Sequence, residues 1–159
     1  YTIFRFFNIY GKKSTAVVAK FIAQKLQNKK ITIFGDGKQK RDFLHIDDLN
    51  RAIFQSIKIK KSNNQIYNLG SGKPESVINL KKIVSERKDH IFLNKRNDDI
   101  EISISNIGKI KKHLKWSPKI SFIKGVKEMM AKDKIRLSKV KLPSIKSQKK
   151  LIKHFNQNN

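Results

Sequence analysis

Apolar residues recur along this chain with two spacings, and each spacing implies a kind of element. Ile3, Phe4, Phe6 and Phe7 form an almost unbroken apolar run over Tyr1–Phe7. That run predicts a strand covered on both faces, as in a parallel sheet. Asn8-Ile-Tyr-Gly11 predicts a turn after it. Val18, Ile22 and Leu26 repeat every fourth residue with Phe21 beside them, which predicts a helix over Thr15–Gln27. Ile31–Phe34 reads as a short strand ended by Gly35-Asp36-Gly37, a strong turn signal. Asp42–Ile46 is extended, and Asp47 or Asp48 is placed to cap a helix running to about Lys58, with Leu49, Ala52, Ile53 and Ile57 inward.

The second half repeats the alternation. Lys60–Asn64 is a polar loop, Gln65–Leu69 a strand, and Gly70-Ser-Gly72 a tight turn. Ser76 caps a helix carrying Val77, Leu80, Ile83 and Val84. His90–Leu93 predicts a strand, and Ile100–Ile104 alternates with polar residues as an edge strand does. Ser105 opens a helix that Trp116-Ser-Pro118 stops, and Ser121 starts a last one with Phe122, Val126, Met129 and Met130 inward. Strands alternating with helices give an α/β fold.

At 159 residues the chain is long enough for one domain with a modest core. It has no cysteine, which excludes disulfides, thiolate metal sites and a cysteine nucleophile. There is no apolar run of about eighteen residues, hence no membrane span. Tyr1 opens the chain without an initiator Met, and the first ten residues lack the layout of a signal peptide. The expectation is a cytoplasmic piece of a longer protein.

Charge enters next. Lys and Arg number 37 against 12 acids, a net +25, but only six of the 37 are Arg. Lysine is a well-hydrated point charge, whereas specific phosphate and base recognition favours the rigid arginine fork. The lysine excess therefore reads as a compositional bias filling exposed positions. The alternative is a basic, nucleic-acid-associated protein, since such a charge attracts any polyanion at low salt. Residues 1–131 form the expected domain. Lys132–Asn159, with nine basic residues against one acid, reads as a basic extension, mobile or loosely helical.

Four groups carry candidate chemistry. Arg5-Phe-Phe-Asn-Ile-Tyr-Gly11 lies at the carboxyl end of a buried strand, where open α/β sheets bind ligands. Asn8 there offers both a donor and an acceptor, although asparagine also suits a plain strand-to-turn junction. Gly35-Asp-Gly-Lys-Gln-Lys-Arg-Asp-Phe43 lets a loop approach a ligand closely, with Arg41 placed to clamp a phosphate. The plainer reading is a turn with solvated charges, and the spacing is not that of a Walker loop. Asn68-Leu-Gly-Ser-Gly72 lacks the third glycine of a dinucleotide fingerprint and reads as a strand-to-helix turn. Arg96-Asn-Asp-Asp99 sets an arginine and an acid three apart in a loop, either a site or a solvated surface. The four histidines are scattered, so no metal site is expected.

Taken together and in order, these segments resemble the second half of the extended short-chain dehydrogenase/reductases, the nucleotide-sugar epimerases and dehydratases typified by UDP-glucose 4-epimerase. The resemblance runs from about Thr2 to Lys132 and is most specific over Gly35–Asp48. Tyr67-Asn-Leu-Gly-Ser-Gly72, Arg96-x-x-Asp99 and Leu114-Lys-Trp-Ser-Pro118 follow in the family's order.

The resemblance implies the last strands of a Rossmann sheet joined to a smaller substrate-binding domain. It places Phe7 beside the nicotinamide end of the NAD cofactor and Asn8 on the sugar nucleotide. Thr32 and Phe34 would border the base, Arg41 and Arg96 would grip the diphosphate, and Asp99 would lie near the ribose. The implied ligand is a nucleoside-diphosphate sugar, and the implied partner is the N-terminal Rossmann half, with a homodimer common in the intact family. The family's glycine-rich dinucleotide loop and its Tyr-x-x-x-Lys pair are not in this sequence. No catalytic residue is therefore assigned, and NAD is not expected to bind this chain alone. A free-standing nucleotide-sugar-binding module is the other reading of the same residues.

Overall fold

The computed structural model describes residues 1–12 and 14–139. Six strands and three helices come first: β1 (Thr2–Phe6), β2 (Asn8–Tyr10), α1 (Val17–Leu26), β3 (Ile31–Phe34), β4 (Lys40–His45), α2 (Ile46–Lys58), β5 (Gln65–Leu69) and, after the short β6 (Pro74–Ser76), α3 (Val77–Val84). They are followed by β7 (His90–Leu93), β8 (Ile102–Ser103), α4 (Gly108–Leu114) and α5 (Phe122–Lys139). β1 pairs with β5, β2 with β4, β3 with β7 and β8 with β4, all parallel; only β6 lies antiparallel, against β4.

β4 organises the molecule because its side chains alternate between two cores. Phe43 enters a cluster with Tyr10, Phe21, Ile22, Ile31, Ile33, Leu80 and Val126. Leu44, one residue on, enters a second cluster with Leu49, Tyr67, Leu69, Ile110, Leu114 and Trp116. The expected apolar stripe of α1 supplies the first cluster through Val18, Phe21 and Ile22. Ser76 caps α3 as expected, its hydroxyl accepting from Asn79 N at 3.1 Å.

Several expectations are corrected. Asn8–Tyr10 is a strand rather than a turn, because its backbone finds β4 alongside; the chain turns at Gly11 instead. The first strand is not covered on both faces. Phe4 packs on the second core, but Ile3 is 46% exposed, because no described element covers its side of β1 and β5; Phe6, on the face of Phe4, stays 55% exposed at the strand end. His45, not Asp47 or Asp48, caps α2, its Nδ1 accepting from Asp47 N at 3.2 Å. Asp48 is buried and turned to Lys119 N and Ile120 N, at 3.0 and 2.9 Å. With Asp48, Ala52 and Ser56 inward, the buried face of α2 rotates and leaves Ile57 75% exposed.

Ser105 likewise does not open a helix. It is buried against Asp42, and α4 begins only at Gly108. Lys115 ends α4 with φ 52°, the left-handed conformation that glycine adopts at least cost. α5 runs on past residue 131 to Lys139, and the remainder of the basic extension, 140–159, lies outside the described residues. Among the described residues no helix is long and apolar enough to cross a membrane.

Candidate functional site

A cleft of about 470 Å³ opens where α1 passes β2, the carboxyl end of β3 and the first half of β4. Asn8, Thr32, Phe34, Arg41, Arg96 and Asp99 all line it. Six of the seven residues singled out from sequence are thus brought together by four separate chain segments. Phe7 stands apart: its N–H donates to Leu69 O at 3.1 Å at the end of the β1–β5 pair, and it does not line the cleft.

Each polar side chain is held by its neighbours. On β4, Arg41 and Phe43 face the cleft while Asp42 points the other way. Asp42 is fully buried and accepts from Ser71 N (2.6 Å), Ser71 Oγ (2.5 Å), Gly72 N (2.9 Å), Ser105 N (2.9 Å) and Ser105 Oγ. The Gly70–Gly72 turn is built around this carboxylate: a Cβ on Gly70 would sit 2.7 Å from Asp42 Oδ2. Asp42 therefore fixes the strand that aims Arg41, and the Asn68–Gly72 segment is structural rather than a phosphate loop. Asn8 ties β2 to the same strand, donating to Asp42 O at 3.2 Å.

Across the cleft, Thr32 is doubly bonded to α1. Its N–H donates to Gln24 Oε1 at 3.2 Å, and Gln24 Nε2 donates to its hydroxyl at 3.0 Å. The Arg96 guanidinium lies over the Phe34 ring, 3.9 Å from its centroid, a cation–π contact that orients the arginine. Arg41 is ion-paired with Asp99, and Gln39 donates to both Asp99 Oδ2 (3.2 Å) and Phe34 O (2.8 Å). Gln24, Gln39 and Lys20 line the cleft without having been expected there. Gln39 stands inside the most specific motif, whereas a lone Gln or Lys on an amphipathic helix carries no signal.

Two arginines and a lysine against one aspartate leave the cleft positive, suited to an anion. Among the described residues no His or Ser lines it, and its tyrosine is locked into the fold. Burial pushes the Tyr10 phenol far above its usual value, with the Asp48 and Glu128 carboxylates adding to the effect. Its hydroxyl is packed on α5, where a Cβ at Gly125 would lie 2.2 Å away. Among the described residues no His, Asp and Glu cluster is placed to hold a metal ion.

Parallel strand pairs with interleaved helices define an α/β fold, and the arginine-lined cleft is its candidate site. The family follows from comparison. Residues 1–70 match the model of the NAD dependent epimerase/dehydratase family. A UDP-glucuronate 4-epimerase of Thermodesulfobacterium geofontis is 34% identical over 147 residues, 87% of this chain and 45% of the relative. The UDP-glucose 4-epimerase of Thermotoga maritima, solved with UDP-glucose, superposes with a TM-score of 0.76 at 31% identity, over 87% of this chain and 46% of that one. A Bacillus cereus UDP-glucuronic acid 4-epimerase, solved with UDP-glucuronic acid and NAD, gives 0.76 at 29%, over 86% and 45%. The chain belongs to the NAD-dependent epimerase/dehydratase family and spans less than half the length of these relatives.

Proposed function

We propose that this chain is the substrate-binding portion of an NAD-dependent nucleotide-sugar epimerase or dehydratase, corresponding to the C-terminal part of the intact family fold. The observation that carries the reading is the cleft, in which two arginines, an asparagine and a threonine converge from segments far apart in sequence. A diphosphate is the anion that two guanidinium forks grip best, because each presents parallel N–H donors to phosphate oxygens. Phe34 and Thr32 supply the apolar and polar wall for a base, and Asn8 faces the sugar end. Relatives solved with UDP-glucose and with UDP-glucuronic acid support that ligand class. A cytoplasmic setting is part of the same proposal.

On this reading the chain alone does not hold NAD, since the sequence has no Gly-x-x-Gly-x-x-Gly and no Tyr-x-x-x-Lys. No hydride or proton step is assigned here. In a full-length protein the dinucleotide site and the proton carrier belong to a further Rossmann portion. The uncovered side of β1 and β5, with Ile3 and Ile66 exposed, is the surface such a portion would bury.

Arg96 gives the cleanest test, since it touches Phe34 while Arg41 is tied into the fold. Arg96→Ala is expected to weaken UDP binding by about 1.5–3 kcal/mol, the worth of a charge-assisted hydrogen bond. Isothermal titration of wild type and variant with UDP measures it, and equal affinities would contradict the reading. NAD is expected to produce no heat with either protein.

A further inference from the structure

We propose that Asp99 is a positioning residue of the anion subsite: it aims Arg41, and with it the loop carrying Arg96, at a diphosphate. The inference rests on the nucleotide-binding reading and concerns what holds the charged half of that cleft in shape.

A guanidinium has five N–H donors. Arg41 Nη1 donates to Lys40 O at 2.9 Å and to Ile100 O, and Nη2 donates to Asp99 Oδ1. Two donors are left for a ligand, in a direction set by the other three. The second oxygen of Asp99 accepts from Gln39 Nε2 at 3.2 Å, and the same nitrogen donates to Phe34 O at 2.8 Å. Asp99 N also donates to Arg96 O at 3.2 Å, closing the turn that starts at Arg96. Arg96 in turn rests on the Phe34 ring. One connected network thus runs from β3 through Gln39 and Asp99 to both arginines.

Three roles for Asp99 predict three different results. A carboxylate that merely competes for Arg41 opposes anion binding, so neutralising it would tighten every anion. A carboxylate that only contacts a ribose matters to UDP and not to inorganic pyrophosphate, which has no ribose. A carboxylate that positions the arginines matters to both ligands alike, because bidentate phosphate recognition depends on the direction of the fork.

The experiment titrates UDP and inorganic pyrophosphate into wild type, Asp99→Asn and Gln39→Leu, and follows the Arg41 Nε–Hε signal by NMR. Gln39→Leu cuts the same network without changing any charge, and it stands in should Asp99→Asn not fold. The expected result is a loss of about tenfold for both ligands in Asp99→Asn, of the size of one charge-assisted contact. Gln39→Leu is expected to lower both affinities in parallel, by less. The Arg41 signal, distinct in the wild type, should move toward that of a solvated arginine in both variants. A loss confined to UDP, or a gain for pyrophosphate, would overturn the proposal and leave the nucleotide reading standing. Failure of the wild type to bind either ligand would remove the nucleotide reading itself.

Discussion

Asp42→Ala is expected to destabilise the protein by roughly 3–5 kcal/mol, the cost of leaving several buried donors without an acceptor. The carboxylate accepts from three backbone N–H groups and two hydroxyls, on Ser71, Gly72 and Ser105. Alanine fills none of those roles, and the site is too tightly closed for bulk water to take them over. Asp42→Asn should recover little, because its amide nitrogen would face donors. Urea unfolding followed by far-ultraviolet circular dichroism reads the change as a lower midpoint at constant slope. A loss under about 1 kcal/mol would show that the Gly70–Gly72 turn and Ser105 do not depend on this carboxylate, as a single net hydrogen bond is worth about that much. Because Arg41 precedes Asp42 on β4, the same variant should also lose the cleft.

The second large effect lies in the other core. Trp116 is fully buried among Leu44, Leu49, Tyr67, Ile110 and Leu114, and its Nε1 donates to Asp48 O at 3.1 Å. Trp116→Ala should cost about 3–5 kcal/mol through lost burial and the cavity left behind. Trp116→Phe keeps an aromatic ring but loses the donor, and should cost about 1–2 kcal/mol. This residue is the chain's only tryptophan, so circular dichroism rather than fluorescence must follow both variants. Trp116 does not line the cleft, so the Phe variant should bind UDP like the wild type. Reduced UDP affinity at full folding would mean the two cores are coupled more tightly than their separate contacts imply.

Elements fixed by local chemistry were legible in the sequence. The α1 stripe, the Ser76 cap and the β3 and β7 strands follow from periodicity and capping, and the structure has each of them. What failed depended on tertiary partners. Asn8-Ile-Tyr looks like a turn until β4 lies beside it, and β6 is three residues long and begins with proline. Asp48 and Ser105 are good capping residues by type, but each is taken by a distant partner, the 119–120 backbone and Asp42 respectively. Asp42 stands in a motif whose plainer reading is a turn with solvated charges, and it is the buried anchor of the Gly70–Gly72 turn.

The cleft shows the same division. Its arginines, Asn8, Thr32, Phe34 and Asp99 were identified through the order of motifs, since no local rule brings segments 8, 32, 41 and 96 together. Gln24 became visible only once α1 lay across β3.

The most direct test of the nucleotide-binding account is a map of where UDP touches this chain. The ¹⁵N-labelled protein is titrated with UDP at about 0.15 M salt, so that general attraction to its lysines is screened. The account predicts saturating shifts concentrated at Asn8, Gln24, Thr32, Phe34, Arg41 and Arg96, with Trp116 unmoved. Shifts spread over the exposed lysines without saturation, or none at millimolar UDP, would contradict it.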